Sequence, residues 1–185
     1  MRGAVTAFFG LLVIYVVFGC INEKVFSLQN NLNLLRSMAK YLLIGIGQSF
    51  VMITGNIDLS IGSVVGMSAM VTATLMTKGI PILFALLVSL ALGLLIGYLN
   101  GELVGKFQMP PFIATLGTMF VARGIAYLIN GNRNTDNIAA ALGKAQGDFF
   151  QNAFYYGKIL GIYNTFWIAL LVFLLFSFVS FTEPT

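Results

Sequence analysis

Six long apolar runs are the feature that most constrains the fold of this chain. Each run holds between 17 and 19 residues, close to the length that a helix needs to cross the hydrocarbon core of a bilayer. Backbone amides in lipid must pair within their own segment, so such runs must be helical. The predicted helices are Ala4–Ile21, Met38–Thr54, Ile61–Thr77, Ile82–Asn100, Phe112–Ile129 and Thr165–Phe181. We therefore expect an all-α, polytopic membrane bundle of about six transmembrane helices, with Ala4–Ile21 retained as a signal anchor.

Composition agrees with a membrane protein and excludes several classes of function. Hydrophobic residues make up 58% of the chain and charged residues 9%, against about 25% charged in soluble domains. The ten basic residues are scattered singly, so no nucleic-acid surface is expected. The chain has no His and one Cys, which argues against a metal site and against Ser-His catalysis. No Lys precedes Ser or Thr, so there is no P-loop. We predict no catalytic residue, metal or cofactor in this chain.

A polar, glycine-containing break, Gly55–Ser60, separates the second and third predicted helices, and its polar motif continues to Ser63. It has two interpretations. It is a tight turn in which Asp58 or Ser60 caps the following helix, or it is a break at membrane depth that lines a translocation path. Irregular backbone is tolerated at that depth only where protein or a water-filled cavity surrounds it. The candidate path residues in the break are Gly55, Asn56, Asp58, Ser60, Gly62 and Ser63.

The fifth predicted helix adds three further candidates. Thr115 and Thr118 follow a Pro110-Pro111 pair, and their hydroxyls either bond to the helix backbone or face a polar path. Arg123 lies well inside the apolar run, where an Arg costs about 2.5–3.5 kcal/mol on insertion scales. It has a partner inside the bundle, snorkels to the membrane surface, or contacts substrate or water. A direct pair with Asp58 requires the break to reach well into the membrane.

A stripe of small residues marks the fourth predicted helix at intervals of four, running Ser89, Gly93, Gly97, Gly101 and Gly105. Small residues allow two helix backbones to approach closely in lipid. The stripe therefore predicts a helix-packing face, with Gly93, Gly97 and Gly101 at its centre.

These motifs together resemble those of a known family. The segment Ile53–Ser63 is similar to the "TGGIDLSVGS" signature of sugar-type permeases of ATP-binding-cassette importers, the ribose, xylose, galactoside and autoinducer-2 group. Pro110–Met119 resembles the family's "PPFIVTLGTM", Arg123-Gly124 its following "RG", and Asn100-Gly101 its "NG.LV". The motifs stand in family order, and the resemblance covers nearly the whole chain.

The resemblance implies a permease subunit that moves a monosaccharide or a similar small polar solute across the bacterial inner (plasma) membrane. Its implied partners are a second permease subunit in a homo- or heterodimer, two cytoplasmic ATPase subunits that use the ATP, and a periplasmic or extracellular sugar-binding protein. It also implies a cytoplasmic N-terminus, although the distribution of Lys and Arg favours the opposite orientation. That topology places the polar stretch Asn130–Asn164 outside the cell, where a delivering protein would touch it.

The chain departs from the family by stopping at Thr185, where family members continue into a cytoplasmic segment that docks the ATPase. We therefore interpret residues 1–185 as one transmembrane domain, the N-terminal portion of a longer permease. A truncated gene, a split subunit and a fragment all fit this pattern. The competing functions are a non-functional relic of a broken permease gene and a stand-alone secondary carrier or channel.

Overall fold

Helices form at all six predicted positions in the computed structural model, which describes residues 2–182. The helices are α1 (Arg2–Ile21), α2 (Leu28–Ile53), α3 (Ile61–Thr77), α4 (Ile82–Gly105), α5 (Pro111–Leu128), α6 (Ile138–Ala141), α7 (Gly143–Gln151) and α8 (Asn164–Thr182). A 3₁₀ turn covers Glu23–Phe26, a π-helical turn covers Asn152–Tyr156, and a hairpin joins β1 (Lys158–Ile159) to β2 (Ile162–Tyr163). The helical fold class is confirmed, with the hairpin as a small addition. The boundary at Thr185 lies outside the described residues.

Two described helices, α4 and α5, are long and apolar enough to cross a membrane by length and composition. Three shorter apolar helical stretches accompany them, at Val5–Ile21, Ile61–Thr77 and Asn164–Phe178. Large apolar side chains such as Leu90 and Leu94 of α4 are exposed, as expected for helices whose outer faces meet lipid. The number of membrane spans stays a prediction.

The chain groups into two compact units, which we describe separately. One contains residues 44–157 and the other contains residues 1–43 and 158–185. The expectation of a single transmembrane domain stays a prediction.

In the unit of residues 44–157, α3 packs against both α4 and α5. The centre of the packing is a cluster of buried side chains, formed by Met67 and Val71 of α3, Ile96 of α4 and Ala122 of α5. Six of the residues of α3 are Gly, Ala or Ser, and such small residues let neighbouring helices approach closely. This three-helix core is the scaffold that holds the α2–α3 break in position.

In the other unit, Tyr163 of β2 is almost fully buried. Its hydroxyl accepts a hydrogen bond from Gln29 Nε2 at 3.1 Å. The guanidinium of Arg36 lies 4.6 Å and the ammonium of Lys158 4.7 Å from the centre of its ring. The hairpin turn next to it has positive φ at both central residues, Leu160 and Gly161, as a two-residue hairpin turn with matching twist requires.

The polar stretch Asn130–Asn164 contains more regular structure than its sequence suggests. It holds α6, α7, the π-helical turn and the hairpin. The N-terminus of α6 is capped by Asn137, whose side chain accepts hydrogen bonds from the N–H groups of Ala139 and Ala140. Gly147 of α7 lies directly against the backbone of Ala139, and a Cβ at this position would collide with the Ala139 carbonyl. The contact explains why α6 and α7 pack so closely.

Candidate functional site

The α2–α3 break begins with a glycine-dependent helix stop. Gly55 has φ +75°, a conformation that glycine adopts without steric penalty. Its N–H donates to the Met52 carbonyl at 3.0 Å and the N–H of Asn56 donates to the Val51 carbonyl at 3.2 Å. This pair of bonds is the Schellman motif, which satisfies carbonyls left free at a helix C-terminus. The chain therefore leaves α2 in a fixed direction.

A chain of hydrogen bonds then ties the break to α4 and α5. Thr118 Oγ1 donates to Asn100 Oδ1 at 2.7 Å, and Asn100 Nδ2 donates to Ser60 Oγ at 3.0 Å. Ser60 Oγ in turn donates to Asp58 Oδ1 at 2.7 Å, and the same oxygen accepts from the Ser60 N–H at 2.7 Å. Every donor points in one direction, from Thr118 towards the Asp58 carboxylate. Hydrogen bonds aligned in this way polarise and strengthen one another.

The middle of this network is buried, with Ser60 exposed by 1% and Asn100 by 7%. Thr115 is also buried, and its hydroxyl donates to the Pro111 carbonyl at 2.7 Å, while the Ile57 carbonyl lies 3.5 Å from the same oxygen. Most buried polar groups in proteins have a hydrogen-bond partner. Here the partners come from α4, α5 and the break.

The register of these bonds shows that the break is recessed below the ends of its neighbours. Asn100 stands five residues before the end of α4, about 7–8 Å at 1.5 Å per residue. Thr118 stands seven residues after the start of α5, about 10 Å by the same rise. Because Ser60 bonds Asn100 and Asn100 bonds Thr118, Ser60 lies at this depth. The break is thus a turn set among the helices, and its place on a translocation path at membrane depth stays a prediction.

An open cavity of about 430 Å³ adjoins the recessed break. Phe50 lines it from α2, Asn56 and Asp58 from the break, and Gly97 and Gly101 from α4. Asn100 and Thr115 are also among the lining residues. The cavity is mainly apolar and has a few polar groups in its lining, which is the usual character of small-molecule sites.

The expectation that Asp58 or Ser60 caps α3 needs a correction in detail. Ser60 occupies the N-cap position, but its side chain makes no cap hydrogen bond to α3. The Asp58 carboxylate instead closes a local turn on the N–H of Ser60 itself. The Ser60 hydroxyl is unavailable to α3 because it takes part in the network with Asn100.

The other predicted site residues lie elsewhere. Gly62 is exposed, and Ser63 Oγ is buried without a hydrogen-bond partner in the described chain. Arg123 is exposed on α5. It makes no ion pair with Asp58 or any other described residue, while its neighbour Ala122 faces the core. Whether Arg123 has a partner in the bundle, snorkels to the membrane surface or contacts substrate or water stays a prediction.

The packing of the glycine stripe of α4 against its neighbours differs along the helix. A Cβ at Gly93 would lie 4.0 Å from Val64 of α3, whereas a Cβ at Gly97 or Gly101 would meet nothing within 4 Å. The last two glycines line the cavity. Close packing of the whole stripe against another helix therefore stays a prediction, and within the described residues its second half forms an open wall.

Asn100 is the network residue that the sequence analysis did not select as a site candidate. It links the break to α5 through both ends of its amide. The signal was present, because Asn100 is the one side-chain amide within the long apolar α4, and a polar group there needs a partner.

Comparison with known proteins decides the family. A family model described as "Branched-chain amino acid transport system / permease component" matches residues 30–183. The chain belongs to this permease family. The chain is 38% identical over 144 residues to the fructose import permease protein of Bifidobacterium longum, covering 78% of this chain and 39% of that protein. It is 35% identical over 138 residues to the autoinducer 2 import system permease protein of Escherichia coli O157:H7, covering 75% and 40%.

A third relative, the ribose import permease protein of Haemophilus influenzae, is 32% identical over 167 residues, covering 90% of this chain and 50% of that protein. The resemblance to sugar-type importer permeases is thus confirmed. The chain spans half or less of the length of these relatives. No solved structure matches the chain.

Proposed function

We propose that this chain forms a membrane-embedded part of the permease subunit of an ATP-binding-cassette importer in the bacterial inner membrane. The solute is a monosaccharide or a similar small polar molecule. The observation that carries the proposal is the recessed break, which sets Asp58, Asn56 and Asn100 along one cavity within a permease fold. Sugars expose hydroxyl groups that are costly to strip of water unless the path supplies hydrogen bonds.

The relatives favour this solute class over others. Those named above are permeases for fructose, autoinducer 2 and ribose by name. The cavity lining includes carboxylate, amide and hydroxyl groups, which match the hydroxyls of such solutes better than they match an apolar or a strongly anionic solute.

Partners follow from the sequence and the family. The family resemblance implies that two cytoplasmic ATPase subunits hydrolyse the ATP, and residues 1–185 hold no P-loop. A second permease subunit and an external sugar-binding protein complete the proposed importer. With the N-terminus in the cytoplasm, Asn130–Asn164 faces outward, where the binding protein delivers its sugar.

The experiment is an uptake assay in the bacterium that carries the gene. We expect in-frame deletion to reduce uptake of radiolabelled D-fructose or D-ribose and a plasmid copy to restore it. Restored uptake should fall when arsenate depletes ATP and should persist when a protonophore collapses the proton gradient. The opposite pattern would identify a secondary carrier. Unchanged uptake of both sugars after deletion would contradict the proposal.

A further inference from the structure

The Asp58 carboxylate has hydrogen-bonding capacity that its own fold does not use. Oδ1 accepts from the N–H and the hydroxyl of Ser60, while Oδ2 has no hydrogen bond or ion pair within residues 2–182. The ion pair seen in that range joins Lys106 to Glu102 on α4. Asp58 is half-buried and lines the cavity. Its free oxygen is therefore an acceptor without an internal partner, on a residue that lines the cavity.

Local structure does not require a carboxylate at this position. An Asn side chain forms the same turn with the N–H two residues on, because only one oxygen takes part. A charged group in a recessed, partly desolvated position costs more than a neutral amide. The carboxylate at residue 58 therefore needs an explanation outside the turn.

The rest of the cavity fits a ring that carries hydroxyl groups. Phe50 provides an aromatic side chain, and Gly97 and Gly101 place no side chain on the α4 backbone in the lining. Asn56 also lines the cavity and adds a second acceptor, since its amide nitrogen is engaged by Thr54 Oγ1 at 2.9 Å and its oxygen has no partner in the described chain. Two acceptors in a mainly apolar cavity match the hydroxyl donors of a sugar ring.

We propose that this cavity is a sugar subsite in the permease itself, in which Asp58 Oδ2 and Asn56 Oδ1 accept hydrogen bonds from hydroxyl groups of a monosaccharide. The inference rests on the proposed function and adds a ligand contact to it. Hydroxyl bonds to an ionised carboxylate are short and strong. An acyl chain or an apolar side chain in the same slot would bury the carboxylate without a partner, a costly arrangement.

The experiment measures sugar binding to the full 185-residue chain purified in nanodiscs. Saturation-transfer NMR with D-fructose and D-ribose should show saturable binding, and tetrahydropyran, a ring without hydroxyls, should show none. Asp58→Asn keeps the turn and removes the second acceptor, so affinity should fall at least tenfold. Gly101→Leu fills the slot from a position with open space and should abolish binding. Glu102→Gln removes a carboxylate outside the cavity and should change nothing.

Each outcome decides the proposal. Sugar binding lost in both cavity variants and kept in the Glu102 control supports it. Absence of saturable sugar binding to the unaltered chain overturns it, as does equal binding of tetrahydropyran, or full affinity in either cavity variant. If Asp58→Asn does not fold, Gly101→Leu still tests the slot. Normal uptake in cells together with no binding to the purified chain would remove the subsite and leave the proposed function intact.

Discussion

Replacing Asn100 with Ala should destabilise the three-helix core more than its position near the end of α4 suggests. The change removes a donor to Ser60 Oγ and an acceptor for Thr118 Oγ1. Hydrogen bonds between membrane helices average about 0.6 kcal/mol and reach about 1.7 kcal/mol. Two such bonds give roughly 1.2–3.4 kcal/mol by the same values.

Part of this loss will be offset. The Thr118 hydroxyl has the Thr115 carbonyl at 3.2 Å as an alternative acceptor, while Ser60 Oγ keeps its bond to Asp58. The bond without a substitute is the one from Asn100 Nδ2 to Ser60 Oγ, because the buried Ser60 oxygen then accepts no hydrogen bond from α4. We therefore expect Asn100→Ala to reduce the free energy of unfolding by about 1–2 kcal/mol, from the range of net hydrogen-bond contributions.

The assay is SDS titration of the chain in mixed micelles, followed by far-UV circular dichroism. Leu99→Ala is the matched control, because Leu99 neighbours Asn100 on the same helix and is 42% exposed. Its change should stay within about 0.5 kcal/mol. A double-mutant cycle with Thr118→Val should give a coupling of about 0.6–1.7 kcal/mol. Equal effects at positions 99 and 100, or additive changes at 100 and 118, would refute the network.

Three further predictions use other parts of the chain. Gly147→Ala should separate α7 from α6 and lower thermal stability, because the added Cβ meets the Ala139 carbonyl. Gly97→Ala is the control, since the added Cβ has open space there and should not lower thermal stability. Thermal denaturation of both variants compares them. Arg123→Leu should leave the unfolding free energy of the isolated chain within about 0.5 kcal/mol of the original, because its side chain is exposed; a larger loss would reveal a partner. Asn134→Cys, in a cysteine-free background, should react with an impermeant maleimide on intact spheroplasts, and labelling only after permeabilisation would reverse the proposed topology.

The helices could be predicted because lipid and apolar packing leave a long apolar run little alternative. Ile61–Thr77 has the predicted bounds. The predicted helix bounds differ from the observed ones where the helix ends are polar, because hydropathy does not mark a polar helix end. Helix α2 starts at Leu28 and α4 continues to Gly105, because amides and glycines extend a helix without extending its apolar run.

The position of the α2–α3 break in the sequence could be predicted, but its depth relative to the ends of α4 and α5 could not. The closely spaced Gly, Asn and Asp residues predict an irregular segment at Gly55–Ser60. Its depth depends on which turn of α4 and α5 it meets, and that register is set by the contacts of Asn100 and Thr118. Sequence spacing along one helix carries no information about the height of its neighbours. For the same reason, the apolar run around Arg123 could not reveal which side of α5 faces the core.

Asp58→Asn should keep the stability of the protein and reduce its sugar uptake. The turn needs only Oδ1, which receives both Ser60 bonds, and Asn supplies an equivalent oxygen. The variant loses a charge that has no ionic partner in the described chain, so its unfolding free energy should equal or exceed that of the original protein. Functional sites often retain such locally unfavourable groups. SDS titration and sugar uptake, measured on the same variant, test this directly. A variant that is less stable and transports normally would show that the carboxylate serves the fold, and would leave the cavity without its main polar contact for a sugar.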